Sequence, residues 1–163
     1  MATVAQDTFT ETLDTVLELH TPDTGTGWVV ANVLILTVVA ATDLLTSASG
    51  TSFQYGRETT DIGDDDMDVS AACVGSIAAN VSVGVLGRVS SSGTLGQNDY
   101  RVRFDPNGDI LLQKVVTATV TTLGTYNPAN ETATLKLEIR TAAKKAYEDG
   151  TERLSSTDDS LTG

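Results

Sequence analysis

Residues 87–114 constrain the fold most, because they encode two short apolar runs around a tight turn. The first run alternates, so its apolar side chains share one side of an extended strand: Tyr100, Val102 and Phe104. Residues 110–114 form the second run, and Asp-Pro-Asn-Gly-Asp at residues 105–109 separates the two. Pro106 restricts φ and Gly108 tolerates positive φ, which favours a turn. The stretch therefore predicts an antiparallel hairpin.

Short runs of alternating or β-branched residues predict strands along most of the chain. Residues 133–140 alternate most cleanly, with apolar side chains on one face and Thr, Lys, Glu and Arg on the other. Asp149-Gly150 is a two-residue hairpin signal between two further strands. Other strands are predicted over residues 28–30, 34–39, 42–46, 67–74, 81–89, 115–123, 145–148 and 151–154. Ten or more short strands with regular turns predict an all-β fold, an antiparallel two-sheet β-sandwich or jelly roll.

The length of the chain predicts its number of domains, and its charge limits the kinds of ligand it can bind. A chain of 163 residues predicts one domain, with a short arm at residues 1–6 and a polar tail at residues 155–163. The formal charge is −12, from 22 acidic and 10 basic residues. Binding to nucleic acid or to an anionic membrane is disfavoured, because both need clustered cations.

The most apolar stretch, residues 28–45, has about the length of a membrane span. Asn32, Thr37, Thr42 and Asp43 interrupt it, and no Lys or Arg flanks it. We therefore interpret it as two or three buried strands. The first residues lack the cationic and apolar regions of a signal peptide, so none is expected.

An ordered set of motifs resembles a known family. The set is DTFTETLDT, HTPDTGTGWVV, MDVSAACV, VGVLGRV, NDYRVRFDPNGDILLQK, LKLEIR and AYEDGTERL. In this order it is similar to the concanavalin A-like lectin/glucanase sandwich, in the laminin-G-like version of phage and bacterial surface proteins. The resemblance runs from about Asp7 to Gly163. It implies two sheets, one of them curved and often forming a concave binding face.

The resemblance also implies a closing strand after the Asp-Gly hairpin, paired with the N-terminal strand. The sequence after residue 154 offers no such strand. Three alternatives remain: the chain is cut short, a neighbouring subunit supplies the strand, or the edge stays open. An open edge is a template for association with another chain.

Catalysis is not expected. A glucanase of this fold would carry Glu-x-Asp-x-x-Glu on one strand as its paired carboxylates, and the sequence has no such run. His20 is the only histidine and lacks the partners of a catalytic triad, so we interpret it as a loop residue with local hydrogen bonds. Cys73, also alone, is expected to be a buried structural thiol.

One acidic loop is a candidate metal site. Calcium prefers six to eight oxygen ligands, and clustered carboxylates supply them. The candidates for a weak calcium site are Asp61, Asp64, Asp65, Asp66 and Asp68. The spacing of an EF-hand is missing, so a solvated acidic loop is the favoured alternative and no other cofactor is expected.

The candidate binding face follows the strands around the central hairpin. Its residues are Arg88, Tyr100, Arg101 and Arg103. The three arginines could bind acidic sugars, or could pair with the excess carboxylates, which is the alternative we favour. The aromatic rings that could stack on a sugar are Trp28, Tyr55, Tyr100, Tyr126 and Tyr147, although core packing is the commoner role of such residues.

Two functional hypotheses follow. The first is a non-enzymatic phage structural protein on the virion surface, such as a capsid decoration, head-fibre or tail-associated subunit. It would assemble with other virion proteins and with itself, for instance as a trimer, by strand addition. The alternative is a lectin-like adhesion module, on the virion or outside the cell, that recognises host or matrix glycans.

Overall fold

The computed structural model describes residues 15–16, 19, 21, 23, 28–31, 36–39, 44–47, 55–58, 66–74, 82–87, 98–130, 132–141 and 143–161. The strands within this part are β1 (Thr15–Val16), β2 (Trp28–Ala31), β3 (Leu36–Val39), β4 (Leu44–Ser47), β5 (Tyr55–Glu58), β6 (Met67–Val74), β7 (Val83–Gly87), β8 (Asn98–Phe104), β9 (Ile110–Val116), β10 (Thr119–Tyr126), β11 (Thr132–Arg140), β12 (Ala143–Glu148) and β13 (Thr151–Ser156). The chain divides into two compact units, Met1–Gly63 and Asp64–Gly163. The expectation of one domain over residues 1–163 stays a prediction.

The first unit contains β1 to β5. β1, β3 and β4 form one antiparallel sheet in the order β1-β3-β4, and β2 pairs with β5. The apolar stretch at residues 28–45 thus contributes short strands, as predicted, and their burial stays a prediction. Among the described residues, no helix has the length and apolar character of a membrane span.

The second unit contains two four-stranded antiparallel sheets. The first sheet has the order β10-β9-β8-β7, and the second sheet has the order β13-β12-β11-β6. Apolar side chains of both sheets share one core: Cys73, Val85, Tyr100, Val102, Phe104, Ile110, Leu112, Ala133, Leu135, Leu137, Ile139 and Ala146. The prediction of an antiparallel two-sheet β-sandwich is confirmed.

Cys73 lies in this core, where it is 3% exposed. Burial raises the pKa of its thiol to about 11, only partly opposed by a hydrogen bond with the backbone of Leu135. The thiol therefore stays protonated and unreactive at neutral pH. The prediction of a buried structural cysteine is confirmed.

The central hairpin forms as the sequence predicts. β8 pairs with β9 from Asn98 opposite Val116 to Phe104 opposite Ile110. In the turn, Asp105 Oδ1 accepts hydrogen bonds from the backbone N–H groups of Asn107 at 2.8 Å and Asp109 at 3.0 Å. Gly108 has a φ of 86°, a region that disfavours side chains. The turn chemistry thus fixes the register of the hairpin.

The prediction of one strand over residues 115–123 is wrong. β9 ends at Val116, and a two-residue turn leads into β10. Thr117 and Ala118 occupy that turn with φ values of 48° and 62°. Both central residues of such a hairpin turn need positive φ, which normally selects Asn and Gly. Because Thr and Ala carry no turn signal, the sequence does not predict this turn.

Replacing Thr117 by Asn and Ala118 by Gly should raise the free energy of unfolding by about 1 kcal/mol, because the left-handed region costs ordinary residues about that much. The backbone N–H of Thr117 in this turn also donates a hydrogen bond to Asn98 Oδ1 at 2.9 Å, and the substitutions keep this donor. Urea unfolding of the double variant measures the gain. Thr121→Asn, in the body of β10, is the control and should lower stability. An unchanged midpoint for the double variant would contradict the prediction.

Candidate functional site

The outer face of the second sheet gathers charged side chains from four strands. Along β11, alternation directs Leu135, Leu137 and Ile139 into the core, so the residues between them point outward. The register brings neighbours on β6 and β12 into line with these outward residues. We call this set the charged face: Asp68, Lys136, Glu138, Arg140, Lys145, Tyr147 and Glu152.

Ion pairs connect the charged face across strands. Arg140 Nη1 lies 2.8 Å from Asp68 Oδ1, and Arg140 Nη2 lies 3.7 Å from Glu138 Oε2. Lys136 Nζ lies 3.6 Å from Asp68 Oδ2 and 3.4 Å from Glu138 Oε2. These four side chains form one continuous network with alternating signs. Their exposed fractions run from 17% at Glu138 to 37% at Asp68, so the network remains open to a ligand.

Tyr147 gives the charged face an aromatic member. The Lys136 ammonium lies 4.0 Å from the centroid of its ring, a cation–π distance. Its hydroxyl donates to Glu138 Oε2 at 3.3 Å. Partial burial, followed by the charge of Glu138, raises the pKa of Tyr147, so the phenol stays a neutral donor at physiological pH.

The charged face is electrically balanced, although the whole chain carries −12. Its three cations, Lys136, Arg140 and Lys145, match three carboxylates. The hydrogen bond to Asp68 raises the pKa of Arg140, and the hydrogen bond to Glu152 at 2.8 Å raises the pKa of Lys145. The face therefore keeps charged donors and acceptors side by side, an arrangement that suits a ligand rich in hydroxyl groups.

The candidate binding-face residues of β8 do not lie together on one surface. Arg101 and Arg103 lie on the outer side of the first sheet, whereas Tyr100 lies on the core side and is fully buried. Arg101 donates from Nε and Nη2 to the two carboxylate oxygens of Asp99, both at 2.7 Å. Arg88 lies outside the described residues. The hairpin thus separates Tyr100 from the arginines.

Arg103 belongs to a polar network on the outer side of the first sheet. Its Nε donates to Gln113 Oε1 at 3.0 Å, and its Nη1 donates to Ser82 Oγ. Gln113 Nε2 in turn donates to Thr122 Oγ1 at 3.1 Å, which extends the network to β10. These contacts hold the partly buried Arg103 side chain against its neighbours on the first sheet.

Tyr100 anchors the segment that follows β13. Its hydroxyl donates to Asp158 Oδ1 at 2.7 Å, and Lys114 Nζ lies 2.5 Å from Asp158 Oδ2. Partial burial opposes ionisation of Asp158, but hydrogen bonds from Lys114, Tyr100 and Ser160 outweigh it and hold the pKa of this carboxyl well below its ordinary value. The predicted polar tail thus begins after Ser156, and Asp158 fastens it to the core.

The calcium candidates are divided by the structure. Asp66 Oδ1 accepts a hydrogen bond from Thr141 N–H at 2.9 Å, and Asp68 pairs with the cations of the charged face. Asp61, Asp64 and Asp65 lie outside the described residues. In the part of the chain that is described, no group of three or more His, Cys, Asp or Glu could hold a metal ion. The weak calcium site stays a prediction.

The remaining aromatic and histidine candidates are only partly placed. The Tyr126 ring lies 4.8 Å from the Arg153 guanidinium. Trp28 belongs to β2 and Tyr55 to β5. His20 lies outside the described residues.

Sequence reasoning did not single out the charged face. The alternation of residues 133–140 was the signal that could have found it, because this pattern already places the charges on one side of β11. The partners on β6 and β12 come from long-range pairing, which that pattern does not encode.

No family model and no curated protein sequence matches the chain. Its fold is similar to the solved structure of the carbohydrate-binding module CBM66 from Bacillus subtilis, with a TM-score of 0.64 and 15% identity over 84% of this chain and 83% of that chain. The likeness shows the β-sandwich fold. It gives no support to the phage or laminin-G-like form of the resemblance.

Proposed function

We propose that this chain is a carbohydrate-binding module whose charged face binds an uncharged, hydroxyl-rich glycan. The observation that carries the proposal is the alternating network of Asp68, Lys136, Glu138 and Arg140 beside the Tyr147 ring. A lectin-like sandwich similar to a carbohydrate-binding module supports it. The proposal favours the adhesion hypothesis over the virion structural role, which stays a prediction.

Each part of the network matches a group on a sugar. Carboxylate oxygens accept hydrogen bonds from hydroxyl groups, while ammonium and guanidinium groups donate to hydroxyl and ring oxygens. Hydrogen bonds with one charged partner are shorter and stronger than neutral ones. Because ion pairs at 2.8–3.7 Å already hold these side chains in place, a glycan would immobilise few additional rotamers on binding.

The charge balance of the face selects the ligand class. An acidic polysaccharide would approach a chain of net charge −12 and gain no excess of cations at the face. A neutral glycan is not repelled by the net charge of the chain and does not need an excess of cations at the face. We therefore expect neutral glycans to bind more tightly than uronic or sialic acids. Such ligands are met outside the cell, and the proposed location is extracellular or on a virion surface.

The proposed role is non-catalytic. The sequence lacks the Glu-x-Asp-x-x-Glu run of glucanases that its resemblance would require for hydrolysis. In the charged face, the oxygens of Asp68 and Glu138 accept from Arg140, Lys136 and Tyr147. These carboxylates serve as fixed acceptors in the proposed mechanism.

We expect Glu138→Gln to weaken glycan binding at least tenfold, which corresponds to about 1.4 kcal/mol. Glu138 contacts Lys136, Arg140 and Tyr147, so loss of its charge disturbs three of the groups that would hold the ligand. A glycan array identifies the ligand, and calorimetric titration then compares the variant with the wild type.

Asp159→Asn is the matched control, because it removes one exposed carboxylate from outside the charged face. It should leave the affinity unchanged. A wild-type protein that binds no neutral glycan on the array would overturn the proposal. Equal affinities for Glu138→Gln and the wild type would show that the charged face is not the binding site.

A further inference from the structure

The outward side chains of the second sheet form two rows that cross all four strands. The register places each of these residues directly opposite the next one on the neighbouring strand. Their side chains are exposed or half-buried. In the strand order β6, β11, β12 and β13, the first row is Asp68, Glu138, Lys145 and Ser155, and the second row is Ser70, Lys136, Tyr147 and Glu152. The rows thus carry the charged face from one edge strand to the other and add the hydroxyl groups of two serines.

Contacts between these side chains also run across the strands. Lys136 Nζ, on β11, lies 3.6 Å from Asp68 Oδ2 on β6 and 4.0 Å from the ring centroid of Tyr147 on β12. Lys145 Nζ, on β12, lies 2.8 Å from Glu152 Oε2 on β13. Hydrogen-bonding groups and one aromatic ring are therefore held one after another across the sheet, where a long ligand can contact them in turn.

The spacing of the strands matches the repeat of a sugar chain. Neighbouring strands lie about 4.8 Å apart, whereas successive outward residues along one strand lie about 7 Å apart. The first distance is close to the length that one pyranose adds to an extended chain, and the second is not. The hydroxyl groups of a pyranose project from both edges of such a chain, so two parallel rows can contact both edges.

We propose that the charged face binds an internal stretch of about four sugars of a linear, neutral pyranose polysaccharide, with the chain lying across β6, β11, β12 and β13. The inference rests on the proposed function and adds the length, the direction and the ring type of the ligand. The two central sugars lie at Lys136, Glu138 and Tyr147. The two outer sugars lie on the edge strands, at Ser70 and at Glu152.

The rows are open at both ends. The side chains of Asp68 on one edge strand and Glu152 on the other are 37% and 42% exposed. A polysaccharide can therefore continue past both edges of the sheet, and recognition does not need a chain end. By contrast, Asp99, Arg101 and Gln113 on the outer side of the first sheet are buried. This difference in exposure assigns the ligand to the second sheet.

Calorimetric titration with cello-, manno-, xylo- and galacto-oligosaccharides, each from the monosaccharide to the hexasaccharide, tests the inference. In a series that binds, we expect the affinity to rise at least about tenfold from the disaccharide to the tetrasaccharide, because each added sugar gains hydrogen bonds on a further strand. The hexasaccharide should bind hardly more tightly than the tetrasaccharide, because the sheet has four strands. Borohydride reduction of the terminal sugar of the hexasaccharide should leave its affinity unchanged.

Two variants at opposite edges of the sheet locate the ends of the ligand. Ser70→Ala and Glu152→Ala should each weaken tetrasaccharide binding about fivefold, the usual effect of losing one hydrogen bond. Both should leave the disaccharide affinity unchanged, because a disaccharide occupies the central strands β11 and β12. Thr157→Ala and Asp159→Ala remove a hydroxyl and a carboxylate outside the two rows and are the matched controls. These controls should bind the tetrasaccharide like the wild type.

The outcomes separate this inference from the proposed function. Full affinity for a monosaccharide or disaccharide, or loss of binding on borohydride reduction, would overturn the inference while the proposed function stood. Wild-type tetrasaccharide binding by either Ser70→Ala or Glu152→Ala would do the same. So would a lack of binding in all four series when the glycan array shows a different neutral ligand. If neither the four series nor the array shows binding, the inference and the proposed function are both overturned.

Discussion

Replacing Asp99 by alanine should lower the free energy of unfolding by about 3–5 kcal/mol, the range for breaking a buried ion pair. The Asp99 side chain is 0% exposed and that of Arg101 is 6% exposed. Both carboxylate oxygens accept from the guanidinium, each at 2.7 Å. The substitution removes both charge-assisted hydrogen bonds from Asp99 while the guanidinium stays buried, so the desolvation of Arg101 is offset less completely.

The double variant Asp99→Ala/Arg101→Met separates this cause from simple loss of packing. A buried charge without its carboxylate is costly, whereas an apolar side chain in the same place is not. We therefore expect the double variant to be more stable than Asp99→Ala alone in urea unfolding. If the double variant lost the sum of the two single losses, the explanation by the buried charge would be wrong.

Asp158→Ala should cost about 2–3 kcal/mol at pH 7, because it removes the acceptor of hydrogen bonds from Lys114 and from the fully buried Tyr100. The buried Lys144 also lies near this site, with its Nζ 5.1 Å from the Tyr100 ring centroid, so this end of the core contains a second buried polar group. Urea unfolding at fixed pH measures the loss. Asp159→Asn, the exposed neighbour, should change stability by less than about 0.5 kcal/mol.

The effect of Asp158 depends on pH with a defined sign. Its folded-state pKa is lowered, so the ionised carboxyl stabilises the fold above its unfolded pKa of about 3.9 and loses that effect as the pH falls below this value. The stability difference between wild type and Asp158→Ala should therefore be largest near neutral pH and shrink in acid. A difference that stayed constant down to about pH 2 would contradict the assigned ionisation.

Local sequence determined most of the strand content. Alternation placed Leu135, Leu137 and Ile139 in the core, and the Asp-Gly pair predicted the turn at Asp149, whose φ is 47°. These predictions succeeded because each depends on a few neighbouring residues. The prediction of a strand through Thr117 was wrong because it also depended only on neighbouring residues. Those residues favour a strand, whereas the pairing of β9 with β10 places Thr117 and Ala118 at positive φ.

The candidate site depended on contacts that sequence spacing does not encode. The alternation of β8 already predicted that Tyr100 lies on the opposite side from Arg101 and Arg103. It did not predict that Tyr100 would donate a hydrogen bond to Asp158, a residue 58 positions away. Likewise, Arg140 reaches Asp68 only because β11 pairs with β6.

By itself, then, the sequence determined the class of fold and the side on which each strand residue lies, because extended chains alternate strictly. Only the tertiary structure decided which charges become neighbours, since strands distant in sequence are brought together by packing of the two sheets around one core.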